Sequence, residues 1–478
     1  MSIRMVVTTG LLLAVAACAV NPATGRRELM LVSEEQEIQM GQEAHPQVIA
    51  AYGLVDDPEL QSYVERIGLR LAEGSERPQL PWSFSVVDDA SVNAFALPGG
   101  FIYVTRGILA HFDSEAELAG VLGHEIGHVT ARHSASQMSR QQLQQIGLGV
   151  GMIFSETFRD YGGIAMAGLQ IMNLSYSRDD ESQSDRLGLR YIAREGYDAD
   201  AMIGVFQMLA AAGGGGGGRL PEWQLTHPYP ENREAEMREV IAETGVSRDG
   251  IVNREEYLGL IDDLVFGPNP RQGYFEGSRF LHPDLAFELT FPAGWSTVNQ
   301  TSAVGAIAPS EDGIVVLTVI PEGGAPDAEL REFLRGEGMT GGTISQSTSS
   351  GVDMARATFQ AASEEGTVRG EAAFLRYDDL TYRLLGYATA AAWSGYASAV
   401  GATLQSFAPV TDSNVLGVQP LRLDIVRLDR AMSLTNFVQG SPQPVDIDVL
   451  ARLNRVEPGE VISAGTRIKT VSGTPVGR

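Results

Sequence analysis

The chain has 478 residues, 44% hydrophobic and 20% charged, a globular composition long enough for roughly two to four domains. Aromatic residues at 7% and 22 Pro exclude a collagen-like, mucin-like or wholly disordered chain despite 54 Gly. With 35 Lys plus Arg against 60 Asp plus Glu, the net charge of -25 would repel a phosphate backbone, which sets nucleic acid aside.

The first residues read as a bacterial export signal over 1–17: Arg4 is followed by an apolar run, Met5 to Ala17, too short to span a bilayer. Val15-Ala16-Ala17-Cys18 resembles a lipobox, whose cysteine is lipidated and becomes the mature N-terminus. Alternatively, Cys18 is incidental, and cleavage after Ala16 or Ala17 releases a soluble exported protein. As the only cysteine, Cys18 cannot close an internal disulfide, so packing, with a bound metal where the chain holds one, must stabilise the fold. Ala19 is not the Asp that retains bacterial lipoproteins at the inner membrane, so that resemblance implies the outer membrane.

After a tether at Asn21 to Arg27, Ser33 and Gln36 form a capping box that opens a helix to about Tyr52, and Asp57-Pro58 opens another to about Leu71. Trp82 to Val87 alternates like a strand, and Val92 to Leu97 and Phe101 to Thr105 flank the turn Pro98-Gly99-Gly100, which together predict a small sheet. Asp113 or Ser114 caps a helix running through about Ser134. The apolar stretch 146–172, broken by glycines, predicts a buried or interfacial hairpin, a candidate lid. Further helices are expected over Ser177 to Gly196, Asp198 to Ala212 and Pro230 to Thr244, with a mobile loop at Gly213 to Gly218.

Pro268-Asn269-Pro270 marks the expected end of the first domain, 18–270. Residues 271–412 alternate short strands with a helix, an α+β module. Its segments Pro283 to Phe287 and Phe291 to Trp295 faintly resemble PsbP/Mog1-like domains. Residues 413–478 resemble a LysM-like βααβ glycan-binding module, although Asp429 to Ser433 replaces the usual Gly-Asp-Thr.

The chemistry lies in His124-Glu125-Ile126-Gly127-His128, an HExxH inside a predicted helix. Residues four apart share a helix face, so both imidazoles can reach one cation, with Glu125 beside them to take a proton from an activated water. Chance supplies such a motif with a probability of roughly a few per cent or less, and apolar flanks would bury two unpaired imidazoles at a cost. A catalytic zinc needs a third protein ligand, for which Glu181 in Ser177-Arg178-Asp179-Asp180-Glu181-Ser182-Gln183-Ser184-Asp185 is the best candidate. Asp185, four residues on, is placed to fix a ligand tautomer, while Asp179 and Asp180 read as a solvated acidic face. Asn93, Ala94 and Phe95 lie on a strand that is either an edge pairing with extended substrate or an ordinary core strand. His133 is five residues past His128, off the ligand face, which points to a capping or surface role.

Together with Asn93-Ala94-Phe95, Pro98-Gly99-Gly100 and Thr226-His227-Pro228, these segments resemble the HtpX/BepA/CAAX-prenyl-peptidase family of gluzincin metallopeptidases over about residues 21 to 245, in its periplasmic lipoprotein branch. The resemblance implies one Zn2+ per chain held by His124, His128 and Glu181, with Asp185 behind a ligand. It further implies that His227 is a displaceable fourth ligand and that Arg233 stabilises the oxyanion. From the residues alone, His227 is one histidine in a turn and Arg233 one basic residue on a polar helix.

The expected architecture is multidomain: a mainly α, zincin-like α+β metalloprotease domain with a small sheet, then an α+β module and a small LysM-like module. The expected activity is a zinc metalloendopeptidase of the Gram-negative periplasm, lipid-anchored through Cys18, acting on unfolded or misassembled envelope proteins. The alternatives are a chaperone or assembly factor with an autoinhibited metal site, and a zinc peptidoglycan hydrolase whose tail binds peptidoglycan.

Overall fold

A computed structural model describes residues 18–148, 176–213, 223, 227, 232–336, 338–363 and 366–476. The leader expected over 1–17, most of the hairpin expected over 146–172, and glycines 214–218 lie outside the described residues.

Strands β1 (Cys18–Val20) and β2 (Arg27–Leu29) pair antiparallel, so the stretch expected to be a tether is a folded hairpin. The cause is Asn21, fully buried, whose side-chain amide donates to the Ala131 carbonyl at 3.1 Å and to Glu28 at 2.9 Å. The first long helix, Glu34–Tyr52, starts in the complete capping box of Ser33 and Gln36. The second, Pro58–Glu73, is capped by Asp57 and turns Leu60, Val64, Ile67 and Leu71 inward against a small sheet. In that sheet β3 (Ser83–Val87) runs parallel to β5 (Phe101–Thr105), and β4 (Ala94–Leu97) pairs antiparallel with β5 on its other side. β4 is therefore one edge of this sheet and β3 the other. The β4–β5 turn needs glycine: Gly99 has φ 85°, and a Cβ there would stand 2.7 Å from the Ile38 Cα.

The HExxH helix, Glu115–Thr130, is capped by the Ser114 hydroxyl and buries every one of its residues. It ends earlier than the pattern through Ser134 predicts. Arg132 takes the left-handed conformation, φ 60°, while its guanidinium donates to Glu37 and to the Val32 carbonyl, and a separate helix, His133–Leu148, begins there. The Glu181 helix, Arg178–Arg194, lies across the HExxH helix where both are small. A Cβ on Gly188 would come within 2.9 Å of the His124 nitrogen, and one on Gly127 within 3.0 Å of the Ser184 Cα. These glycines allow near backbone contact between the two helices. Helices Ala201–Gly213 and Arg233–Thr244 complete this part.

Residues 274–409 form an eight-stranded sheet of β10 (Ser296–Gln300), β11 (Ala303–Ile307), β12 (Gly313–Ile320), β13 (Met339–Gly341), β14 (Ser345–Ser349), β15 (Val352–Ser363), β16 (Gly366–Tyr377) and β17 (Leu380–Thr389), and a four-stranded one of β7 (Tyr274–Glu276), β8 (Arg279–His282), β9 (Phe287–Thr290) and β18 (Ala408–Pro409). Alternation along the long strands separates two cores. Ala373, Leu375 and Leu384 face Val400 and Leu404 of helix Trp393–Gln405, whereas Ala372, Phe374 and Leu385 face Leu330 and Phe333 of helix Pro326–Phe333.

Residues 421–472 run strand, short strand β20 (Met432–Ser433), helix, helix, short strand β21 (Val461–Ile462), strand, with β20 and β21 paired antiparallel. β19 (Leu421–Arg427) pairs antiparallel with β22 (Arg467–Ser472) and, on its other edge, with β6 (Val265–Phe266). Leu423, Leu434, Leu450, Leu453, Ile468 and Val471 belong to the same apolar core as Leu118 and Leu122 of the HExxH helix. Two cations fasten them. Lys469, the sole lysine, is buried and donates from Nζ to the Phe112 carbonyl at 2.7 Å and to Asp113 at 2.9 Å. Arg455 donates to both Glu117 oxygens at 2.5 and 2.7 Å. Both acids stand at the start of the HExxH helix, where their charge also complements its dipole. Among the described residues no helix is long and apolar enough to cross a membrane.

Candidate metal centre

The close crossing at Gly123, Gly127 and Gly188 brings His124 and His128 against Glu181. Their Nε2 atoms lie 3.0 Å apart, and Glu181 oxygens lie 3.3 Å from His128 Nε2 and 3.6 Å from His124 Nε2. His227 adds its Nδ1, 3.3 Å from His124 Nε2 and 2.9 Å from Glu181 Oε1. All four side chains are buried, and one ligand atom from each lies within 4.8 Å of every other. Bond lengths of about 2.0–2.1 Å to a common ion place tetrahedral ligand atoms roughly 3.3 Å apart, so the donor set fits zinc by type and spacing.

Charge supports the same fit. Glu125, Glu181 and Asp185 crowd three carboxylates into a buried space against the single guanidinium of Arg233, an expensive excess of negative charge that a bound metal ion would offset. Burial works against ionisation of Glu181, but His227, Arg233 and His128 outweigh it and hold the group well below the ordinary carboxylate range. Burial pushes Glu125 upward, with His227 and His124 opposing. Both Glu125 oxygens are buried without a hydrogen-bond partner among the described residues, and Oε1 lies 3.7 Å from His227 Nε2. Burial depresses His128, favouring the neutral form that a metal ligand requires. His227 is pulled upward by Glu181 and Glu125 in spite of burial.

Behind the ligands, Asp185 stands 2.9 Å from His124 Nδ1 and accepts two bonds of 2.6 Å from the Arg233 guanidinium. Arg233 also reaches Glu181 Oε2 at 3.1 Å and lies over the Phe206 ring. Arg233 is thus buried among carboxylates, not on the polar face that the sequence suggested. On the edge strand side, Ala94 and Phe95 sit on β4, and the preceding Asn93 is tied through its backbone to Thr105.

Two residues, Trp223 and Tyr176, escaped the sequence reading, and His133 was misjudged by it. Trp223 stacks on His227 with centroids 4.2 Å apart and donates its backbone N–H to the Val92 carbonyl at 3.3 Å, at the mouth of the edge strand. Tyr176 stacks on His128 at 3.9 Å. His133, expected in a capping or surface role, is buried with Nδ1 3.0 Å from His128 Nδ1. The expectation assumed an unbroken helix, and the left-handed turn at Arg132 invalidates it. An aromatic four residues before His227 was the one legible hint for Trp223.

Residues 58–241 match the model of peptidase family M48. The chain is 32% identical to the beta-barrel assembly-enhancing protease of Yersinia pestis over 50% of its own length and 52% of that protein's. It is 32% identical to the protein of the same name in Escherichia coli, over 45% of this chain and 46% of the other. The mitochondrial metalloendopeptidase OMA1 of Schizosaccharomyces pombe is 31% identical, over 48% of this chain and 68% of that one. The chain thus spans about half the length of the bacterial relatives it matches.

Proposed function

Since this chain belongs to peptidase family M48, we propose that it is a zinc metalloendopeptidase of the bacterial envelope, lipid-anchored at Cys18, that hydrolyses unfolded or misassembled envelope proteins. The observation carrying this is the convergence of His124, His128 and Glu181 ligand atoms from two helices beside a buried Glu125 that has no hydrogen-bond partner among the described residues. His124, His128 and Glu181 would hold the ion, which when bound supplies Lewis acidity toward the peptide carbonyl and the attacking water. Glu125 takes the proton from that water and delivers it to the departing amine nitrogen, a role helped by a carboxyl raised through burial. Asp185 accepts the His124 Nδ1 proton and fixes the tautomer that leaves Nε2 for the ion.

Arg233 orients Asp185 and Glu181, and any bond to a developing oxyanion would compete with these two carboxylates. The outer edge of β4, with Asn93, Ala94 and Phe95, pairs with an extended substrate backbone, which suits broad sequence tolerance. The names of the bacterial relatives point to β-barrel assembly as the setting.

The position of His227 favours a second reading, an assembly factor whose metal site is kept closed. His227 and the Trp223 stacked on it would occupy the side from which a carbonyl must approach. Purified Glu125→Gln should retain zinc and lose cleavage of an unfolded protein such as casein, and undiminished turnover would refute the mechanism. His227→Ala should raise cleavage. If neither the parent nor His227→Ala cleaves while both bind unfolded clients, the assembly-factor reading replaces the protease.

A further inference from the structure

His124 and His128 are supported differently. His124 Nδ1 faces Asp185, the carboxylate partner expected behind a metal-binding imidazole. His128 Nδ1 has no carboxylate facing it at hydrogen-bond distance among the described residues; it faces the ring of His133, at 3.0 Å between Nδ1 atoms. The rings are steeply inclined, at 75°, so the contact is edge-on between nitrogens and not a stack. His133 is 3% exposed and is brought back onto His128 by the left-handed Arg132, which Glu37 and the Val32 carbonyl hold.

We propose that His133 is the positioning residue for His128: its Nδ1 accepts the His128 Nδ1 proton and so presents His128 Nε2, unprotonated, to the ion. Two N–H groups cannot face each other at 3.0 Å, so a donating His128 requires a His133 with its proton on Nε2. The surroundings of Nε2 suit that tautomer. Gln183 Oε1 is 3.3 Å away and Asp180 Oδ1 3.7 Å, both acceptors, and both come from the Glu181 helix. The Ser184 hydroxyl, at 3.3 Å from His133 Nδ1, is a rotatable group that competes for the same single lone pair from farther away than His128 at 3.0 Å. One metal ligand is thereby oriented by an anion and the other by a neutral ring, and the neutral partner adds no further negative charge to a site already holding three carboxylates. The chain Asp180/Gln183, His133, His128 also ties the orientation of a ligand on one helix to the helix that contributes Glu181.

This inference rests on the metal-site reading, and zinc binding itself separates the two. Zinc affinity of the full chain is measured by competition with a chromophoric chelator, alongside the melting temperature of the metal-free protein and the visible spectrum of the Co2+-loaded form. His133→Phe keeps bulk but removes the acceptor, and zinc affinity should fall roughly 10–100-fold. His133→Asn, whose amide oxygen stands near the lost Nδ1, should recover most of that affinity and the parent Co2+ spectrum. Parent-like zinc affinity in His133→Phe would overturn the proposal while leaving the metal site intact. Equal losses in the Phe and Asn variants at parent melting temperature would also overturn it, because ring shape and not the acceptor would then matter. A parent chain that binds no zinc would overturn the metal-site reading and this inference together.

Discussion

Gly188→Ala tests whether the close crossing of two helices builds the site. A Cβ at Gly188 would stand 2.9 Å from the His124 nitrogen and 3.1 Å from the Gly123 carbonyl carbon, whereas ordinary contact begins at 3.4 Å. The shortfall is about 0.5 Å against backbone, which cannot swing aside as a side chain would. Overpacking of this kind costs about 1–3 kcal/mol. Metal–ligand distances tolerate only about 0.2 Å, so parting the helices by the full shortfall pulls Glu181 out of reach of an ion held by His124 and His128. Loss of 1–3 kcal/mol from binding corresponds to roughly 5–150-fold weaker zinc affinity. Chelator competition reads the affinity, and calorimetry of the metal-free protein reads the strain. Parent-like zinc affinity and melting temperature in Gly188→Ala would refute the claim that backbone proximity at this crossing sets the ligand geometry.

Lys469→Met should destabilise the part containing the HExxH helix by about 2–3 kcal/mol, less than the full loss for a buried pair because Asp113 is 25% exposed and Arg455 remains nearby. The urea midpoint checks this, and an unchanged midpoint would mean that residues 421–472 are not fastened through that ammonium. Trp223→Ala should increase cleavage of an unfolded protein severalfold by loosening His227, and lower turnover at unchanged zinc content would contradict that. Burial pushes His282 down to about 4. The folded state then binds fewer protons than the unfolded state, so this contribution is complete above about pH 6.5 and is lost as pH falls toward about 4. In His282→Leu the unfolding of the 274–409 region should depend less steeply on pH across that window, and an unaltered slope would contradict the assignment.

The legible parts of the chain were those encoded locally. The capping box at Ser33, the helix start at Ser177, Asp57-Pro58, and the alternation around Pro98-Gly99-Gly100 each fix their own segment within a few residues, so sequence spacing sufficed. HExxH was legible because both histidines sit on one turn of one helix. What could not be read depends on contacts distant in sequence. Nothing near Asn21 announces that Ala131 will accept its amide, or that Lys469 will lie against Asp113. Arg132 is unusual as a non-glycine residue in a left-handed turn, and Glu37, nearly a hundred residues earlier, helps to hold it there. The misjudgement of His133 follows from that single turn. Arg233 looked like one charge on a polar helix because its partners, Asp185 and Glu181, belong to another helix.

Metal stoichiometry paired with proteolysis tests the central claim most directly. The purified parent should carry about one zinc per chain and cleave casein, lose both on treatment with a chelator, and regain both with added zinc. Glu181→Ala should fail to hold the metal although both histidines remain. Full zinc occupancy in Glu181→Ala, or cleavage by the parent that persists after zinc is stripped, would contradict a catalytic ion gripped jointly by the two helices.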